Sequence, residues 1–420
     1  MGVIKLENKK VVLRFAVVSD VHMDDTDLSI VEENNFKNLF MHAYAYSKKQ
    51  DYKKLDGVLV LGDMTNRGTE KAYEKFLGIA KENLKEGTLF RCLLGNHEFF
   101  LEQADVVVPR FLKIFGYDST DFHFVLGGYD FILLSCSGNT EQYSEEKKKW
   151  LKQALLKAMK RSPNKPIFVF QHFHIKNTVY GSHIHGTEDL TDILEKYPQV
   201  IDFSGHSHYP INDPRSIWQG KFTALGTGTL KFFSMGLNGL AEKKIVPVDE
   251  YGAYAAKRMS PKRDAATYYI VEVQEDDRVH IIGFDIFSGE CIAEYVLSEF
   301  ENPDKFIYTN ERRTLCSAPF FLGDVRPEVL VKELNTVEIS VPQAFDQENV
   351  ESYRFELYDK NGKKSETIYR LSMTFYRPTP KKIVATFENL EVGEYEVYCY
   401  AVNSWNKASL PIKAMFRIIE

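Results

Sequence analysis

The chain has 420 residues, 44% of them hydrophobic and 27% charged, with a formal net charge of −6. That length exceeds one ordinary core, so two domains are expected, and the balance is that of a globular protein rather than a disordered or fibrous one. No Lys/Arg-rich run dominates, which argues against a nucleic-acid enzyme. No stretch approaches the ~18 apolar residues of a membrane span, so no membrane partner is expected.

In chain order, apolar strand patterns alternate with helical ones. A strand is predicted near 12–19, a helix near 31–50, a strand at 57–62, a helix at 69–84, a strand at 89–94 and a helix at 103–115. Strands near 122–126 and 130–135 follow, then a helix at 144–160, a strand at 166–171 and a helix near 188–196. This alternation predicts a layered α/β architecture. The runs 221–225, 267–273, 279–285 and 290–296 are expected to complete a second sheet. Residues 235–264 mix charge, Gly and Pro without a period and read as a long excursion near an active-site rim.

Beyond residue 316 the pattern changes to short alternating strands separated by turns, including the hairpin signal Lys360-Asn361-Gly362. An all-β sandwich is expected there. Two domains follow, 1–315 and 316–420. The five cysteines form no CxxC motif and are odd in number, which disfavours a disulfide framework; Cys92 and Cys136 read as ordinary buried thiols. With no signal-peptide pattern at its start, the chain as written reads as cytoplasmic, although a trimmed leader would leave the same sequence.

Five of the apolar runs end in polar residues able to bind metal. The run 15–18 leads to Asp20 and His22, which share a face of an extended chain. The run 58–61 leads through Gly62 to Asp63, whose two oxygens can bridge two ions. The third run exits through Gly95 to Asn96 and His97. The run 167–170 ends at His172, with His174 as a competitor, and the run 200–203 ends at Gly205, His206 and His208. Singly, each has an ordinary alternative: an Asp after a strand often caps a helix, and Gly-Asn is a common turn. Together, imidazole and oxygen donors without thiolate suit two divalent ions such as Mn, Fe or Zn, and disfavour Ca.

These blocks, D-x-H, G-D, G-N-H-E, a later H and G-H-x-H in that order, resemble the calcineurin-like metallophosphoesterase superfamily over roughly residues 11–300. The resemblance implies a four-layer α/β-β/α sandwich. It also implies one metal on Asp20, His22, Asp63 and His208 and a second on Asp63, Asn96, His172 and His206. The expected reaction is attack of a metal-bridging hydroxide on the phosphorus of a small phosphate ester. His97 is expected to donate the proton to the leaving group, its competing role being to orient the site.

Arg67 in GDMTNRG is a candidate phosphate contact, with helix capping or plain surface exposure as the alternative. His183 and His185 are candidates for the substrate mouth. Phe99 and Phe100 are candidates for stacking on a base, with core packing the commoner fate. Asn66 stands where purple acid phosphatases carry a Tyr ligand, and Asn66 with QHFH departs from the protein Ser/Thr phosphatases. The remaining arrangement resembles the class III cyclic-nucleotide phosphodiesterases. A phosphodiesterase is therefore expected, with a phosphomonoesterase or an inactive metal-bound scaffold for protein binding as alternatives.

The segment 390–409 resembles the end of a fibronectin type III or immunoglobulin-like domain, with Tyr395 as a tyrosine corner. A docking role toward protein or glycan is expected of that module.

Overall fold

The computed structural model describes residues 9–26, 29–233, 266–333 and 335–419. Its described residues form two compact units, one reaching residue 233 and resuming over 266–310, the other beginning at Glu311.

The first unit runs β1 Val11–Val18, α1 Ile30–Lys49, β2 Gly57–Leu61, α2 Glu70–Asn83, β3 Leu89–Leu93, α3 Ala104–Phe115, β4 Phe122–Leu126, β5 Tyr129–Leu134, α4 Glu145–Arg161 and β6 Ile167–Gln171. It continues with the two-residue strands β7 His174–Ile175 and β8 Gly186–Thr187, α5 Thr191–Leu194, β9 Val200–Ser204, β10 Ile217–Gln219, β11 Thr223–Gly226, β12 Thr267–Gln274, β13 Val279–Asp285 and β14 Cys291–Leu297. Local chemistry sets the helix starts: Thr69 and Ser144 accept hydrogen bonds from the amides of Ala72 and Lys147 and so cap α2 and α4.

Two six-stranded sheets result, ordered β14-β13-β12-β1-β2-β3 and β10-β11-β9-β6-β5-β4. In the first, β1, β2 and β3 are mutually parallel; in the second, β5, β6, β9 and β11 are. Both faces of most of these strands are buried, β3 being only partly so, which explains why they read as largely continuous apolar runs. Phe15, Val17, Leu59, Leu61, Phe131, Phe168, Phe170 and Phe203 belong to one core cluster, and Phe15 meets Phe131 and Phe168 edge-on at 5.0 and 5.1 Å. Ala16, Val18, Val58, Val60 and Val169 belong to another, with Phe36, Phe76 and Leu155 of the helices. The layers are helix, sheet, sheet, helix.

Two expectations need correction, and one falls outside the described residues. Of the runs expected to complete a second sheet, only β11 joins it; β12, β13 and β14 extend the first, because β12 takes the open edge of β1 in antiparallel register. A strand buried on both faces looks the same in either sheet, so periodicity could not separate the two. The helix expected near 188–196 is a single turn, Thr191–Leu194, followed at once by the segment that feeds β9. The excursion over 235–264 lies outside the described residues.

The second unit contains β15 Glu328–Lys332, β16 Thr336–Pro342, β17 Val350–Asp359, β18 Lys364–Leu371, β19 Lys382–Phe387, β20 Gly393–Asn403 and β21 Ile412–Ile418. They form sheets ordered β15-β16-β19 and β18-β17-β20-β21, with Val337, Ile339, Tyr353, Phe355, Leu357, Val397 and Cys399 in one core. Gly362 takes φ +76° in the turn between β17 and β18. The Tyr395 hydroxyl donates to the Glu391 carbonyl at 3.0 Å, the bond of a tyrosine corner. Among the described residues, no helix is long and apolar enough to cross a membrane.

Asp202, in the middle of β9, is fully buried, and its two oxygens accept from Gln171 Nε2 at 3.1 Å each. The Gln171 side-chain oxygen in turn accepts from the Tyr143 hydroxyl at 3.0 Å. Burial pushes the Asp202 carboxyl up to about 7, against a smaller opposing pull from Gln171. A raised carboxyl favours the protonated folded state, so its stabilisation is full below the unfolded value of about 3.9 and is lost as pH rises through about 7. Asp202→Asn is expected to raise the melting temperature relative to the parent at pH 8, by the equivalent of up to about 4 kcal/mol, and to leave it nearly unchanged at pH 4. Paired thermal melts at the two pH values check this; an equal shift at both would show that ionisation is not the cause.

Candidate metal centre

The strands β1, β2, β3, β6 and β9 run parallel within their sheets, and the polar residues that follow their carboxyl ends converge, as ligands do in open α/β sheets. The backbone there is unusual. Asp20, His22, Asp63, His206 and His208 all have φ between +48° and +70°, a region that non-glycine residues avoid. The turns bring the chains so close that side chains are excluded. A Cβ on Gly95 would lie 2.2 Å from Asp63 Oδ1, and one on Gly205 would lie 2.5 Å from Asp20 Oδ2.

Three groups of donors result: Asp20, His22 and His208; His22, Asp63 and His97; and Asp63, His172 and His206. In the first, His208 Nε2 lies 3.1 Å from Asp20 Oδ1 and 2.9 Å from His22 Nε2. Asp63 Oδ2 is the point on which imidazoles converge, with Nε2 of His172, His22 and His97 at 3.3, 3.7 and 3.9 Å. Asn96 joins through its Oδ1, 2.9 Å from His172 Nε2. Donors bonded to one ion at about 2.1 Å lie about 3–4 Å apart, so these separations suit metal ions.

A buried orphan supports that fit. Asp20 Oδ2 accepts from the Ser19 hydroxyl and, at 3.0 Å, from the His206 amide, whereas Oδ1 is buried with no hydrogen-bond partner. Leaving a buried carboxylate oxygen unpaired is costly, and a cation satisfies it. Ring orientation agrees. Nδ1 of His172 and His208 donate to the carbonyls of Leu61 and Phe232 at 2.8 and 3.0 Å, which fixes the tautomer that presents the Nε2 lone pair to the centre.

The electrostatics are those of closely packed ligands. Burial alone would raise Asp20 and Asp63, but the neighbouring imidazoles, His208 for the first and His172 for the second, hold both carboxyls well below their ordinary range. Burial lowers His22 to about 3. It would also lower His172, but Asp63 overrides it and raises that ring to about 9.

His97 Nδ1 lies 3.1 Å from the Asn66 carbonyl, and its ring packs 3.9 Å from that of Phe100. Phe100 is half-exposed while Phe99 is core. His174 is not at the centre: buried, it spends both ring nitrogens on the hydroxyls of Ser204 and Ser207 at 2.8 and 2.7 Å. Arg67 and His183 are exposed. His185 comes nearer to the ligands, its ring 5.4 Å from that of His206 and its buried Nε2 without a partner.

The sequence motif assigns Glu98 no separate role. It is fully buried, and its oxygens accept from the amides of Gly95, Asp63 and Thr65 at 2.8, 3.0 and 2.9 Å and from the Thr65 hydroxyl at 3.1 Å. Burial, reinforced by the charge of Asp63, pushes its carboxyl up to about 8. The only local signal was an acid directly after Asn96-His97.

Residues 13–210 match the model of the calcineurin-like phosphoesterase family. No curated protein gave a significant match. Among solved structures, a purple acid phosphatase from yellow lupin (Lupinus luteus) is 13% identical with a TM-score of 0.46; the match covers 69% of this chain and 54% of that one. The chain thus spans about half the length of that enzyme. Domains d3-d4 of the rat CD45 extracellular region are 13% identical over 24% of this chain and 51% of theirs, with a TM-score of 0.19. A hypothetical protein from Pyrococcus horikoshii is 10% identical over 26% of this chain and 98% of its own, with a TM-score of 0.18.

Because Asp63 belongs to two of the donor groups, Asp63→Ala is expected to reduce bound metal from two ions per chain to below one. Elemental analysis after loading with Mn or Zn and desalting checks this, and two retained ions would show that Asp63 bridges nothing.

Proposed function

We propose, from the match of residues 13–210 to the calcineurin-like phosphoesterase family model, that the protein is a dinuclear metal-dependent hydrolase of small phosphate esters that prefers diesters to monoesters. The observation that carries the reading is the convergence of imidazole nitrogens on Asp63 Oδ2 beside the unpartnered Asp20 Oδ1. In this proposal Asp20, His22, Asp63 and His208 hold one ion, and Asp63, Asn96, His172 and His206 hold the other. Two divalent ions, when bound, polarise phosphoryl oxygens and activate water.

The chain's own groups do the rest. Glu98 holds the backbone of Asp63 and Gly95 through their amides, so the bridging carboxylate is set before substrate arrives. Asp63 Oδ1 accepts the His97 amide at 2.9 Å, which leaves Oδ2 turned toward the imidazoles. His97 Nδ1 is tethered to the Asn66 carbonyl, so Nε2 faces the site, and it is the imidazolium form, with a second proton on Nε2, that would pass that proton to the leaving oxygen and return to the neutral ring. Asn66 and the QHFH segment set the chain apart from purple acid and protein Ser/Thr phosphatases, which supports the diester preference.

The test is hydrolysis of bis(p-nitrophenyl) phosphate and p-nitrophenyl phosphate side by side after chelation and reloading with Mn or Zn. The diester should turn over faster and the chelated protein should be inactive; no turnover with any metal would refute the enzyme reading and favour a scaffold. His97→Ala should keep both ions and lose roughly 10²–10⁴ in kcat, the usual worth of a positioned acid. Loss of an ion instead would make His97 a ligand, which its place in the group with His22 and Asp63 allows.

A further inference from the structure

Glu141 lies in the loop between β5 and α4, and its Oε1 is 3.6 Å from His206 Nε2. Nothing in the sequence motifs points to it, because it belongs to no ligand block. Its side chain is 44% exposed, so it faces both the ligand ring and solvent. A carboxylate so exposed is ionised at neutral pH. Among the described residues, no Lys or Arg forms an ion pair with it.

The cations nearby do not offset this charge. Lys231 precedes Phe232, whose carbonyl holds His208, but its ammonium is already engaged, 2.9 Å from Asn66 Oδ1 and 3.4 Å from Glu32. His185, packed against His206, brings an aromatic ring rather than a fixed cation. Among the described residues, the Glu141 carboxylate beside His206 is thus paired with no fixed side-chain cation.

We propose that Glu141 is a specificity-determining residue that disfavours dianionic phosphate monoesters and so leaves monoanionic diesters as the preferred substrates. The inference rests on the hydrolase reading above. A monoester has a second ionisation near pH 6 and carries close to two negative charges at pH 8, whereas a diester carries one. A phosphoryl group engaged beside His206 meets the Glu141 carboxylate in either case, and the additional charge of the monoester raises the repulsion. Uncharged parts of the substrate are indifferent to it.

The experiment compares the parent, Glu141→Gln and Glu141→Asp at pH 8, each loaded with Mn and assayed for metal content. Glu141→Gln should keep two ions and raise kcat/KM for p-nitrophenyl phosphate relative to bis(p-nitrophenyl) phosphate by about tenfold, chiefly through KM, a size suited to a half-exposed charge. Glu141→Asp should stay near the parent. Calorimetric binding of inorganic phosphate, close to a dianion at pH 8, should tighten in Glu141→Gln by about tenfold more than that of the monoanion dimethyl phosphate. An unchanged preference, or loss of an ion, would overturn the proposal, the latter by making Glu141 a ligand. If the parent turns over neither ester, the hydrolase reading fails, and the two binding titrations still decide whether Glu141 sets the charge preference.

Discussion

The centre depends on a buried carboxylate that is not one of its proposed ligands. Glu98 reaches from the turn after β3 to the turn after β2 and accepts the amides of Gly95, Asp63 and Thr65. Without it those amides would lose the acceptor they share, and unpaired buried amides cost about 1–3 kcal/mol each. The acid closes one turn on the other and sets the separation of Asp63 from Asn96. The short reach between the turns then excludes any Cβ at Gly95, since it would strike Asp63 Oδ1 at 2.2 Å. The glycine and the acid are two halves of one constraint.

Such support is needed because the turns are strained. Five of the seven proposed ligands sit at positive φ, each at a cost on the order of 1 kcal/mol or more. The gain is direction. A left-handed residue at a strand end turns its side chain inward across the sheet edge, where a regular continuation would alternate it between faces. Asp20 and His22 reach one centre in this way, although the simple expectation was a shared face of an extended strand. Ions bound only by the folded chain add to the same balance.

What the sequence disclosed follows from the range of each signal. The strand ends of Asp20, Asp63, Asn96, His172 and His206 were legible because an apolar run and a donor, with a glycine between them at Asp63, Asn96 and His206, lie within a few residues of one another. The partners of Glu98 at Asp63 and Thr65 are 35 and 33 residues away, and a backbone amide leaves no trace in composition. The placement of β12 was illegible for a related reason. Its apolar run satisfies either sheet, and only the open edge of β1 decides between them. His185 and His183 are equivalent as letters in a polar loop, and the path of the loop turns the first toward His206.

On the proposed roles, the distinction between ligand and acid among the histidines is similarly one of depth rather than chemistry. His172, His208 and His97 all tie Nδ1 to a backbone carbonyl, so all three present Nε2 to the centre. The tether therefore cannot be what separates them. The side chains of His172 and His208 are 0% and 7% exposed, against 28% for His97, whose Nε2 is also the farthest of the three convergent rings from Asp63 Oδ2, at 3.9 Å. A ring at that level stands between the buried ligands and solvent, the position from which a proton can move between a bound ester and water. Phe100, half-exposed against the same ring, limits the directions in which His97 can swing.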